Sequence, residues 1–428
     1  MSDTRLLQHR AQMAQCDELK PLLRRRTGRG VWMAELANLV NEVRDSTRDI
    51  VMLDWIQYRD YFCLAGYNAR TQQLSIFDMI TSLPITDDLP GALNTSEKLK
   101  SLWPIVAEIH KACKPGDILV FCPSKVLKLI PLHVLPYKTS DDHPIIHYHP
   151  IVYAPNNTVL KECVERALSA AAEQSSSLPP RASFFCRYPE DQQGADTTVG
   201  GMTRIFVHNK VHTTITSGSA VTQGGLKAQF TDADFLHLHG HTAGHDLERH
   251  LVLDTGDIPN SLFSADPAAR YTSRTGLSPF LTLSEIQQAN QELMLMLMGG
   301  GSGIQVIRKG DDAFGLVNSF LSAGATSVVA TVWHLDNSDA ARFSTQFYWT
   351  MFAVADEDVA DSGSGSLCGF RDVGELIDLA TTFQKSVNAP RACNRPRCLR
   401  KSLSARLLCH RVSPYHWAPF TLSGSWVC

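Results

Sequence analysis

Six residues, Leu293-Met294-Leu295-Met296-Leu297-Met298, run without a polar side chain and stop at Gly299-Gly300-Gly301-Ser302-Gly303. The run is short for a helix buried on all sides. It suits a strand covered on both faces, as happens inside a parallel sheet flanked by helices. The glycines that follow permit tight turns and close backbone approach that side chains would block. Together they predict a buried strand that delivers a turn to the edge of a sheet.

The rest of the chain carries the pattern such a strand requires. Met33, Leu36, Leu39, Val40 and Val43 recur at helical spacing, and Ile50-Val51-Met52-Leu53 then reads as a strand. A hairpin-rich stretch follows through Tyr61–Leu64 and Leu74–Phe77. Asn94-Thr95-Ser96-Glu97 resembles a capping box, opening a helix with Leu99, Leu102, Ile105, Val106 and Ile109 on one face. Short apolar runs at 117–122 and 126–131 read as strands, and a helix is predicted from Asn157 to Ala172. After Ser175-Ser176-Ser177-Leu178-Pro179-Pro180, a plausible boundary, the alternation resumes. Strands are predicted at 182–185, near Ile205, and at 234–239, 251–253, 293–298 and 327–333. Helices are predicted near Leu226 and at 284–290, 313–322, 338–353 and 373–386. This is an α/β chain with a mainly parallel sheet. Its expected organisation is a basic, linker-like segment at 1–30, a first half at 31–178 and a second half at 181–428. Loop insertions are expected near 361–366 and 388–411.

Composition narrows the classes of function. With 44% hydrophobic and 19% charged residues in 428, the chain has enough apolar material for one large or two packed domains. A formal net charge of -3 gives no global attraction to nucleic acid or to an acidic membrane. Eleven cysteines without a repeating spacing, behind an N-terminus lacking a signal-peptide core, point to reduced thiols and an intracellular, cytoplasmic or nuclear location. No apolar stretch approaches the roughly 20 residues that cross a bilayer.

Chemistry in open α/β sheets collects at the carboxyl ends of strands. Two such ends stand out: His239-Gly240, within Leu236-His237-Leu238-His239-Gly240-His241, and the glycine turn 299–303. Cysteine-type acyl transfer needs a thiolate, a histidine to take its proton and backbone N–H donors for the oxyanion. His239 and Gly240 supply the second and third; the glycine turn supplies no thiol. Ser302 is the nearest hydroxyl, although a nucleophile elbow would need glycine at position 304, where Ile304 stands. A phosphate-cradling loop is disfavoured because no Gly-Lys-Ser/Thr ending follows. The alternating His237, His239 and His241, with His245 and His250, raise the thought of zinc, but no cysteine or carboxylate set at ligand spacing accompanies them. No metal and no cofactor is expected. Between Lys385 and Arg411 basic residues interleave with Cys393, Cys398 and Cys409, which reads as a solvated insertion.

Several segments, in order, resemble the CHAT domain, a caspase- and separase-like module. They are Gly116-Asp117-Ile118, Ile130-Pro131-Leu132-His133-Val134-Leu135, His237-Leu238-His239-Gly240-His241-Thr242, Leu251-Val252-Leu253-Asp254, and Leu281–Ile286. The series continues with Leu295–Gly303, Gly310–Gly315, Ser319–Trp333 and His416–Trp426. The resemblance implies a caspase-like three-layer α/β/α sandwich with a mainly parallel sheet, preceded by a noncatalytic α/β half. It implies His239 at the catalytic histidine, Gly240 at the oxyanion glycine and Gly300 at the position of the catalytic cysteine. The expectation is therefore a catalytically inert pseudo-peptidase acting through a protein or peptide partner. The alternative is an active endopeptidase using His239 as base with Ser302 or a displaced cysteine as nucleophile.

Overall fold

The computed structural model describes residues 38–39, 48–58, 61–81, 102–137, 143–173, 179–188, 191–243, 250–252, 280–281, 294–307, 313–333, 335–352, 377–392 and 420–425. The strands are β1 (Ile50–Tyr58), β2 (Tyr61–Asn68), β3 (Gln73–Thr81), β4 (Ile118–Cys122), β5 (Ile151–Tyr153), β6 (Arg181–Arg187), β7 (His212–Ser217) and β8 (Phe235–Gly240). They continue as β9 (Thr242–Ala243), β10 (His250–Val252), β11 (Phe280–Leu281), β12 (Met294–Met298), β13 (Val306–Ile307), β14 (Ala313–Phe314), β15 (Ser327–Thr331) and β16 (Phe420–Gly424). The longer helices are α1 (Asn157–Glu173), α2 (Gln192–His208), α3 (Gln223–Asp232), α4 (Leu316–Ala323), α5 (Asn337–Phe352) and α6 (Leu379–Ala392).

Eleven strands form one sheet in the order β3-β2-β1-β4-β5-β16-β15-β12-β8-β6-β7. The apolar run that opened the sequence is β12, parallel to β8 on one side and β15 on the other. Its composition follows from its place. Met294, Met296 and Met298 face a core shared with Phe184, Phe206 and Tyr348, under α2 and α5. Leu295 and Leu297 face the opposite core with Leu226, Phe230 and Phe320, under α3 and α4. A strand buried on both sides favours an unbroken apolar run.

The last described strand joins the two halves. β16 runs antiparallel to β15 from Phe420 against Thr331 to Gly424 against Ser327, and parallel to β5. The parallel set β1, β4 and β5 therefore runs opposite to the parallel set β6, β7, β8, β12 and β15. The sheet is mixed but mostly parallel, with helices on both faces, as the sequence pattern implies. Ser425 N–H donates to the Thr326 carbonyl at 2.8 Å, and Ser327 Oγ donates to the Ser425 carbonyl at 2.8 Å, closing the seam.

Three local expectations are corrected. The stretch around Ile205 is not a strand but part of α2, where Ala195, Val199, Met202, Ile205 and Phe206 line one buried helical face. The stretch 126–131 is not a strand: Lys125–Leu129 is a 3-10 helix between Pro123 and Pro131, whose missing N–H groups disfavour a place within the sheet. The helix expected to continue from 99 to 109 is interrupted: Trp103–Ile105 is a 3-10 turn containing Pro104, and of the described residues 102–112 only Ile109–Ala112 is α-helical. The segments 1–30, 94–99, 284–290, 361–366 and 393–411 lie outside the described residues, while 388–392 continue α6. Among the described residues no helix is long and apolar enough to cross a membrane, and the cysteines Cys63, Cys113, Cys122 and Cys186 are free thiols.

Gly424 is where the seam tolerates least. Its φ is 102°, and a Cβ there would lie 2.4 Å from the Thr326 carbonyl oxygen. Gly116 has a similar φ of 98° but open space around it. Gly116→Ala should cost about 1–2 kcal/mol from backbone strain alone, and Gly424→Ala should cost more because the strands must also separate. Urea denaturation of the two variants measures the difference.

Candidate functional site

The parallel pairing of β8 and β12 sets Met298 beside His239. The loops that follow the two strands must therefore meet. Thr242 Oγ1 donates to the Gly300 carbonyl at 2.5 Å, tying one loop to the other. Their backbones approach so closely that a Cβ on Gly299 would lie 2.9 Å from Thr242 Cγ2 and 3.2 Å from the Gly240 carbonyl oxygen. On its other side Gly240 abuts β6, where a Cβ would lie 2.8 Å from the Arg187 carbonyl oxygen.

The glycine turn is held by Thr331 at the end of β15. Thr331 Oγ1 donates to the Gly299 carbonyl at 2.7 Å and accepts from Gly301 N–H at 3.0 Å, while its carbonyl accepts from Gly303 N–H at 2.7 Å. Ser302 is fully buried in this turn. Its Oγ donates to the Leu297 carbonyl at 2.8 Å and accepts from Thr331 N–H at 3.2 Å. The hydroxyl is thus engaged in closing the turn. Gly301 has a φ of 74°, whereas Gly300 has no positive φ, so the backbone at position 300 is of a kind that admits a side chain.

His239 is 1% exposed. Its Nε2 lies 2.5 Å from Asn337 Oδ1, at the start of α5. Its Nδ1 is buried without a hydrogen-bond partner among the described residues. Burial holds its pKa below the ordinary 6.5; the Asn337 bond pulls it up in part, and His241 pushes it down. His237 stacks on it at 5.7 Å and bonds Tyr348 Oη through Nδ1 at 2.8 Å. Burial, then His239, holds its pKa well below the usual value. Tyr188 lies over His239 at 5.8 Å and over His241 at 4.3 Å. The three alternating histidines thus face three different partners. His245 lies outside the described residues.

Two thiols come near imidazoles. Cys186 of β6 is the register partner of His239. Its Sγ accepts from Gln192 Nε2 at 3.7 Å, and burial followed by Asp196 pushes its pKa up to about 12. In the first half, Cys113 Sγ lies 3.7 Å from His149 Nε2, with burial and then Asp117 raising that thiol to about 12. A thiolate, not a thiol, is the nucleophile in cysteine chemistry, so both are poorly activated.

The family model for the CHAT domain matches residues 96–425. This chain belongs to the CHAT domain family. No curated protein matches it in sequence. Among solved structures this CHAT chain is similar to separase in the Saccharomyces cerevisiae separase–securin complex, with a TM-score of 0.53 and 10% identity over 92% of this chain and 31% of that one. A second separase–securin structure gives a TM-score of 0.51 and 9% identity, covering 91% and 30% of the two chains. The Arg-specific cysteine proteinase gingipain R gives a TM-score of 0.43 and 11% identity over 77% and 67%. The CHAT chain therefore spans about a third of the separase it matches, and at this identity what the two share is the caspase-like α/β fold.

Sequence reasoning singled out His239, Gly240, Gly300 and Ser302 in the CHAT domain and missed Asn337, Thr331, Thr242 and Tyr188. Asn337 is 98 residues from His239, at a helix start where asparagine ordinarily reads as a cap. Thr331 carried a faint signal, as a hydroxyl within the otherwise apolar end of a buried strand.

Buried neutral histidines make stability depend on pH. His133 is lowered to about 3 by burial, and His149, His237 and His239 are lowered mainly by burial too. The unfolded chain binds these protons more readily. Stability is therefore full above about pH 6.5 and is lost as pH falls from there toward the folded pKa values, by at most about 1.4 kcal/mol per pH unit for each histidine. Urea midpoints should fall between about pH 7 and 5, and less steeply in His133→Phe.

Proposed function

We propose that this CHAT domain is a catalytically inert pseudo-peptidase that acts by binding a protein or peptide partner. The observation that carries the reading is Gly300, in the turn joined to the His239 loop by the Thr242 bond, where the family's catalytic cysteine is expected. Glycine offers no atom to attack a carbonyl, and loss of a covalent nucleophile costs roughly 10⁶ in turnover.

The substitutes are poor. Ser302 Oγ is engaged with Leu297 and Thr331, and the burial of Cys186 keeps its thiol protonated. A protein partner is proposed because a binding role needs only the surviving surface, and the separase structure it resembles is a complex with securin. The free thiols support a reducing, intracellular setting.

The reading is tested with a peptide-acyl electrophile that labels cysteine-type active sites. The purified chain should not be labelled in a manner that depends on His239; labelling abolished by His239→Ala sinks the inert reading. Gly300→Cys should create cleavage of a peptide library where the unaltered chain shows none.

A further inference from the structure

His239 and Asn337 meet because the sheet places them together. β8 brings His239 to its carboxyl end, and α5 opens shortly after β15, two strands away in the sheet. The contact, 2.5 Å from Nε2 to Oδ1, joins an imidazole to an amide oxygen, which only accepts. Nε2 must then carry the hydrogen, and in the neutral ring Nδ1 is bare. That nitrogen is the buried atom without a partner among the described residues.

We propose that Asn337 is the positioning residue of His239, holding the imidazole as the Nε2–H tautomer so that a bare Nδ1 faces the site as a hydrogen-bond acceptor. A capping role is the competing explanation. In the first turn of α5, however, the N–H groups of Asp339 and Ala340 donate to the backbone carbonyl of Asp336, and the Asn337 side-chain oxygen reaches across to β8 instead. An uncharged partner also suits the setting. Among the described residues, the groups near the ring are His237 and His241 from its own strand and loop, Cys186 of β6 and Tyr188 just after it, and Asn337 from α5. None is a carboxylate that would stabilise an imidazolium. A neutral acceptor therefore fixes the ring's direction without charging it. The occupant matched to Nδ1 is a donor such as a thiol, hydroxyl or amide N–H, a clause that rests on the proposed binding role; the tautomer does not.

Long-range nitrogen–proton NMR of the histidine-labelled full chain reads this directly, with the His239 signals assigned by their loss in His239→Gln. The expected spectrum at about pH 7.5 has a protonated Nε2 and a bare Nδ1. Asn337→Ala should give mixed tautomers, and Asn337→Asp should keep the imidazolium to a pH at least about one unit higher. A residue that merely supports the fold would move neither. A wild-type Nδ1–H tautomer overturns the proposal, as does an unchanged titration midpoint in Asn337→Asp, which keeps the test open should the alanine variant not fold. In Gly300→Cys, alkylation by iodoacetamide should slow about tenfold or more when Asn337→Ala is added. An unreactive Gly300→Cys thiol together with the expected tautomer supports the Asn337 role and sinks instead the assignment of position 300.

Discussion

The pairing of β12 against β8 is the constraint on which the rest depends. Because the two strands are parallel, neighbouring and in register at Met298 and His239, their following loops leave the sheet side by side, although nearly sixty residues separate them in the chain. No loop chemistry is needed to bring them together. The Thr242 bond to Gly300 then sets their spacing, and the close approach of Gly299 to Thr242 and Gly240 crowds any side chain at position 299. The pairing is itself secured by burial. Methionines on one face and leucines on the other give β12 two cores to satisfy, and a one-residue slip would exchange them.

How much of this was legible in the sequence follows from the range of the interactions. Burial on both faces prints an unbroken apolar run, so β12 and β15 could be placed to within a residue or two at each end. A helix such as α2, with Gly200 and Gly201 inside it and polar residues on its open face, dilutes the periodic signal, and its Ile205 segment was mistaken for a strand. Proline decided two other errors: Pro104 broke a predicted helix, and Pro123 and Pro131 bracketed a run too constrained to join the sheet. The candidate site divided in the same way. His239 and the glycine turn announce themselves by local composition. Asn337 and Thr331 act through contacts across the sheet that no spacing along the chain encodes.

The seam at β16 bears on how the halves relate. A strand from the end of the chain lies between β5 and β15, so the reversal of direction at the middle of the sheet is carried by five residues. Thr421 and Ser423 put polar side chains in this buried strand, and Thr421 Oγ1 donates to the Ala330 carbonyl of β15. The first half thus supports the site through shared sheet structure, and none of its described residues contributes a group to it.

A buried imidazole with one nitrogen unmatched is an awkward thing for a core to keep. A neutral histidine used only as packing could be exchanged for an apolar ring of similar size at little net cost, since replacing both partners of a hydrogen bond can be nearly neutral. His237 and His239 instead sit stacked within hydrophobic surroundings, each with one nitrogen bonded to α5 and the other unmatched among the described residues. That arrangement keeps the rings uncharged and fixes their direction, but leaves desolvated acceptors or donors behind. In His239 the unmatched atom belongs to a ring at the strand end where the two loops meet. The fold therefore maintains a directed imidazole next to the turn 299–303, in which Gly300 brings no side chain. A hydrogen-bond donor placed beside this ring would relieve the desolvation that Nδ1 bears among the described residues.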